Sequence, residues 1–118
     1  MKELAKRRRA MRMPTQLPGS VSGRTPRAVV VRDLSANGCL IHCDTLLEPG
    51  AILDLSVELG PDPFTAKVRV TESSLDGATL PEGAARYLVG LEFLALPARA
   101  ATQLRRFIED ESRRQAPR

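Results

Sequence analysis

The sequence predicts an all-β domain closed by one C-terminal helix, and three observations carry that expectation. Short segments bounded by Gly, Pro, Asn or Asp recur past Pro14 and Pro18 at the spacing of a sandwich or barrel. Several of them alternate apolar and polar residues with a period of two, and after Pro97 the apolar spacing changes to three and four. A chain of 118 residues suits a single core, which at that size buries roughly two-thirds of its unfolded surface without metals or disulfides.

In chain order, Ala28-Val29-Val30-Val31 and Cys39-Leu40-Ile41-His42 read as strands, the β-branched run disfavouring helix. They flank Asp33-Leu34-Ser35-Ala36-Asn37-Gly38, which reads as the loop joining them. Pro49-Gly50 marks a turn before residues 51–59, where Leu53, Leu55, Val57 and Leu59 alternate with Asp54, Ser56 and Glu58. Gly60-Pro61-Asp62-Pro63 then connects to Phe64, Ala66, Val68 and Val70, which alternate with Thr65, Lys67, Arg69 and Thr71, so the pair reads as a hairpin. Residues 73–85 show no period and several breakers, so a mobile surface loop is expected. Tyr87, Val89, Leu91 and Phe93 share one strand face, with Gly90 opposite as the mark of a bulge or a close approach. Pro97 suits a first helical position, and Ala100, Ala101, Leu104, Phe107 and Ile108 form the apolar stripe of the closing helix.

Charge is concentrated at one end. The net charge of the chain is +4, yet Lys2, Lys6, Arg7, Arg8, Arg9 and Arg12 against Glu3 place +5 in the first 12 residues, leaving a nearly neutral body. A basic arm on a neutral domain points to a polyanionic partner held at one place. No apolar stretch approaches the ~20 residues that cross a bilayer, and no apolar segment or cleavage site follows the basic N-terminus, so a cytoplasmic protein without a membrane span is expected.

Two short patterns carry chemistry. Arg8 and Arg12 form an Arg-x-x-x-Arg segment, and Asp33, Ser35 and Gly38 form an Asp-x-Ser-x-x-Gly turn about twenty residues later. In that order, between strands and ahead of the Val89-Gly90-Leu91-Glu92-Phe93 segment and the helix, they resemble the signature of the PilZ domain family, whose members bind the bacterial second messenger cyclic di-GMP. The resemblance covers about residues 8 to 108. It implies a small six-stranded antiparallel β-barrel with a C-terminal α-helix, divided into a flexible basic arm at 1–13, a barrel and helix at 14–112 and a frayed basic tail at 113–118.

The implied roles follow the chemistry of the side chains. An arginine fork engages phosphate or the O6/N7 edge of guanine in bidentate fashion, which suits Arg8 and Arg12 as the gripping pair. Asp33 accepts from the Watson–Crick edge of guanine, where N1 and N2 are donors, and Ser35 both donates and accepts. Two apart on an extended backbone, Asp33 and Ser35 are expected to share a face, while Gly38 permits the positive φ of the return into the next strand. Asn37 departs mildly from the family, where a glycine often precedes the final glycine. Arg7 and Arg9 are secondary ligand candidates, and a basic residue at Arg7 implies capture of two stacked nucleotides per protomer. A single-domain member acts through another protein, so the arm is expected to close over the nucleotide and present a new surface to a downstream partner.

Other readings weigh less. His42, the one histidine, points opposite to Cys39 and Cys43 on its strand and lacks a partner base, so no catalytic residue and no enzyme activity are expected. Cys39 and Cys43 lie ~13 Å apart on a strand, beyond a disulfide or a shared metal, and are expected to be reduced core residues. A non-specific nucleic-acid module is an alternative raised by the basic arm, but aromatics are 3% of the chain and fall on the core face, leaving no stacking platform. A PilZ-fold adaptor without nucleotide binding is the other alternative.

Overall fold

The computed structural model describes residues 12–76 and 86–115. Six antiparallel strands, β1 (Met13–Ser22), β2 (Pro26–Leu34), β3 (Gly38–Cys43), β4 (Ile52–Glu58), β5 (Pro63–Leu75) and β6 (Tyr87–Leu94), close into a barrel in the order β1-β2-β3-β6-β5-β4. The helix α1 (Ala98–Gln115) follows β6. The barrel closes where β1 returns to β4, Gly19 opposite Val57 and Val21 opposite Leu55. A Cβ on Gly19 would lie 2.7 Å from the Ser56 carbonyl oxygen, so the seam needs the bare backbone.

Period-two alternation builds the core. Val29 and Val31 of β2, Ile41 of β3, Leu55 and Val57 of β4, Phe64, Val68 and Val70 of β5 and Val89 of β6 are all buried, with polar neighbours outside. Phe64 and Phe93 meet edge to face at 5.5 Å between ring centroids, a geometry that adds about 0.5–1.5 kcal/mol to the area they bury. Leu104 and Ile108 are the buried side chains of α1 and join the same core, with Phe107 packed against it. The first intrahelical bond runs from Ala101 N–H to the Pro97 carbonyl, so Pro97 stands at the cap, one position before the helix.

Several expectations need correction. The loop expected from residue 73 is strand as far as Leu75: Ser73, Ser74 and Leu75 pair with Val89, Leu88 and Tyr87, and residues 77–85 lie outside the described residues. The pairing is recovered because a bulge at Thr71 shifts the register opposite Gly90, which breaks the alternation that would have revealed a strand. The tail expected to fray from residue 113 is helical through Gln115, whose Nε2 donates to the Pro14 carbonyl at 3.2 Å, and Arg113 and Arg114 pair with Asp110 and Glu111 one turn back. The strand β1 begins at Met13, inside the expected arm, because Met13 is buried opposite Leu34.

Gly38 also differs from expectation. The positive-φ glycines of the described residues are Gly50 and Gly60, so Gly38 does not serve a left-handed turn. What excludes a side chain is β6, since a Cβ on Gly38 would sit 2.1 Å from the Leu91 carbonyl oxygen. Overpacking of this kind costs about 2–3 kcal/mol. Gly38→Ala is therefore expected to lower the unfolding free energy by that amount, read as a lower urea midpoint with an unchanged slope, and a loss below ~0.5 kcal/mol would contradict the close approach.

Candidate ligand-binding site

The site begins with a break in alternation on β2. Val29 and Val31 point inward two apart, but the next buried side chain is Leu34, three residues on. Two residues therefore stand where one fits: the β2–β3 register slips between Val31 and Asp33, making Arg32 the extra residue. Adjacent side chains, Arg32 and Asp33, both face out as a result. The β1–β2 register slips at the same level, between Pro14 and Leu17, and the Thr15 hydroxyl donates to the Val31 carbonyl at 2.6 Å where the ladder is interrupted.

A cleft of about 390 Å³ opens over this irregularity, lined by Arg12, Pro14, Arg32, Asp33, Leu40, His42, Asp76, Arg86 and Leu88. Arg12 stands just before β1 and donates from Nη1 to Asp33 Oδ1 at 3.1 Å and Oδ2 at 3.3 Å. The guanidinium is 59% exposed and the carboxylate 20%, and an ion pair so open contributes about 0.2–1 kcal/mol. It is a resting partner that a stronger one can replace.

Alongside them in the cleft, four side chains from four strands or strand ends form a row. Arg32 Nη1 lies 3.2 Å from His42 Nδ1, His42 Nε2 lies 2.9 Å from Asp76 Oδ2, and Arg86 Nε lies 3.3 Å from the same oxygen. Arg32 can only donate, so His42 Nδ1 accepts and Nε2–H faces Asp76, a neutral imidazole in one tautomer. Burial holds the His42 pKa below its ordinary 6.5, reinforced by the Arg86 and Arg32 charges, while Asp76 opposes the shift. The backbone bond from Asp76 N–H to the Arg86 carbonyl, 2.8 Å, ties the ends of β5 and β6 beside this row.

The residues anticipated from the sequence separate into three groups. Arg12 and Asp33 meet in the cleft. Ser35 and Gly38 build the turn beneath it: Ser35 Oγ accepts from Asn37 N–H and Gly38 N–H and donates to the Gly38 carbonyl, all at 3.2 Å, and is 5% exposed. The shared face expected for Asp33 and Ser35 does not form, because β2 ends at Leu34 and Ser35 already turns. Arg7, Arg8 and Arg9 lie outside the described residues. Arg32, Asp76 and Arg86 were not anticipated. The odd spacing from Val31 to Leu34 is the signal that would have pointed to Arg32, whereas Asp76 and Arg86 are brought in by a pairing no local pattern announces.

Cys39 and Cys43 are buried and unpaired, and the Cys39 thiol is pushed up to about 12 by burial first and the Asp33 charge second, with Arg12 opposing. Such a thiol stays protonated and unreactive near neutrality. Among the described residues no group of three or more His, Cys, Asp and Glu is placed to hold a metal, and no described helix is long and apolar enough to cross a membrane.

The profile of the PilZ domain matches residues 6–110. The chain belongs to the PilZ domain family. Its fold is that of the PilZ domain of YcgR from Escherichia coli, solved with c-di-GMP, at TM-score 0.76 and 18% identity over 92% of this chain and 93% of that one. The inhibitor of motility MotI/DgrA from Bacillus subtilis superposes at TM-score 0.73 and 17% identity, over 93% of this chain and 53% of that one. A tetrameric PilZ domain from Xanthomonas campestris, self-assembled via a helical bundle, is similar at TM-score 0.60 and 20% identity over 79% and 49%. No protein of curated function matches the chain. The six-stranded PilZ barrel with its C-terminal helix is thus the fold anticipated from the motifs.

One histidine makes the electrostatics of the cleft measurable. In tag-free protein the imidazole resonances are expected to titrate below the unperturbed 6.5. Since the unfolded chain then binds a proton that the native state excludes, stability is complete above the ordinary pKa and declines as pH falls beneath it toward the native value. His42→Gln should flatten that slope just below the ordinary 6.5. A native pKa above the ordinary value would contradict the arrangement.

Proposed function

We propose that the protein is a receptor for cyclic di-GMP, a binding protein without catalytic chemistry that reads the ligand in the cleft over the β2 bulge. The observation that carries this is the meeting of Arg12 with Asp33 at the rim of that cleft, the last arginine of one motif against the first carboxylate of the other, 21 residues apart in sequence. The membership in the PilZ family and the likeness to a domain solved with c-di-GMP support it.

In this reading Arg12 leaves Asp33 for a phosphate or guanine edge, and Asp33 turns to the N1 and N2 hydrogens of the base. The exchange is nearly balanced for the protein, because the resting pair is exposed. Arg8 adds the second grip, with Arg7 and Arg9 beside it, and a second stacked nucleotide per protomer belongs to the same proposal. Ser35 and Gly38 act by shaping the turn, which Ser35 holds through three hydrogen bonds and Gly38 presses against β6. Leu40, Leu88 and Pro14 offer apolar walls to a purine face. The segment before Arg12 closes over the ligand and changes the surface offered to a downstream protein. His42 and Ser35 do not meet as base and nucleophile: His42 is held by Arg32 and Asp76, and Ser35 by backbone groups.

Calorimetric titration tests the reading and counts the ligands. The wild type should bind cyclic di-GMP and discriminate against cyclic di-AMP at both low and raised salt. Arg12→Ala should weaken binding by two or more decades, since each charge-assisted bond contributes about 1.5–3 kcal/mol, while changing stability by less than ~1 kcal/mol. Equal, steeply salt-dependent uptake of both nucleotides would favour a simple polyanion site instead.

A further inference from the structure

Among the described residues three arginines line the cleft, and they are not equally compensated. Arg12 has Asp33 and Arg86 has Asp76, but Arg32 lies against a neutral imidazole, and among the described residues no carboxylate comes within ion-pair distance of it. With His42 neutral, the described residues leave one positive charge of the cleft without a counter-ion, and it belongs to Arg32.

The backbone gives the same residue a second distinction. Arg32 is the extra residue of the β2 bulge, and it is exposed, whereas an uninterrupted strand would place either Arg32 or Asp33 inside the barrel. A bulge re-aims a side chain, and here it sets an arginine next to the carboxylate that the ligand motif supplies. One N–H of its fork is held by His42 Nδ1. That bond tethers the guanidinium, and the exposed Arg32 side chain makes no other hydrogen bond among the described residues, which leaves its remaining donors for contact with a phosphate. A freely solvated surface arginine needs neither the bulge nor the imidazole.

We propose that Arg32 is a further ligand-gripping residue of this site, donating to a phosphodiester oxygen of the bound dinucleotide, with His42 as the residue that positions it. This rests on the receptor reading above and extends it beyond the Arg-x-x-x-Arg pair to a residue outside both motifs. Arg86 is the weaker of the two remaining cations for that contact, since its Asp76 partner is already present, although its buried Nε makes no aligned hydrogen bond.

The experiment uses tag-free full-length chain and cyclic di-GMP itself, followed by calorimetry and by the ³¹P resonances of the bound ligand. Arg32→Ala is expected to weaken binding at least tenfold and to move the bound ³¹P resonances, and Arg32→Lys to recover part of the affinity, because charge returns without the fork. Arg27→Ala, an exposed arginine of the same strand away from the cleft, should bind as the wild type does. If Arg32→Ala unfolds, Arg32→Gln keeps most of the stem and carries the same expectation. Wild-type affinity and unchanged ³¹P resonances in the Arg32 variants overturn this assignment alone. Absence of binding by the wild type overturns the receptor reading, and the assignment with it.

Discussion

A closed barrel has one inside, and every strand residue must face either toward it or away. That constraint holds this molecule together, because the alternating rows of Val, Leu, Ile and Phe from six strands fill a common interior that no single strand could cover. It also determines where chemistry can be placed. Neighbouring polar side chains cannot both leave a regular strand on the outer face, so a dense polar constellation needs a local break. The slipped registers at Pro14–Leu17 and Val31–Asp33 lie side by side and supply it. Thr15 repairs the interrupted ladder with its hydroxyl, so the irregularity leaves the Val31 carbonyl satisfied.

Two arginine–aspartate pairs stand above this break. Arg12 with Asp33 keeps opposite charges together at an open rim, so that pair is not costly to separate, whereas Arg86 turns a buried Nε toward Asp76. Deep burial is reserved for groups that hold the fold, the Ser35 hydroxyl in the turn and the Cys39 and Cys43 thiols in the core. The imidazole of His42 lies between these extremes, 10% exposed and held in one tautomer by an arginine and an aspartate. The contact between Gln115 and Pro14 brings the end of α1 to the base of β1, two residues beyond Arg12, which links the cleft physically to the helix.

Elements with uninterrupted alternation were legible in the sequence. The β4–β5 hairpin, the Tyr87–Phe93 strand and the helix stripe at Leu104 and Ile108 all follow from period alone. Motif order and spacing anticipated the family and brought Arg12 to Asp33 across 21 residues. What escaped lay at the bulges. Thr71 hid the end of β5, and Arg32 hid the extension of β2 through Leu34, because period-two reasoning fails by one residue at each. The Pro-punctuated β1 has little alternation of its own and owes its place to pairing with β2 and β4. Gly38 was assigned importance for the wrong physical reason. Its φ is unremarkable, and the requirement comes from a β6 carbonyl that is distant in sequence.

Ligand recognition on the outer face over the β2 bulge is the claim on which the functional account stands. Backbone amide shift mapping of the isotopically labelled chain with cyclic di-GMP addresses it most directly. Shifts concentrated at residues 7–17, 30–42 and 86–90 are predicted, with the exposed face of α1 and the β4–β5 turn unchanged. Saturating nucleotide that leaves the bulge resonances in place, or moves those of Arg99, Arg106 and the Gly60–Pro63 turn instead, would contradict the account.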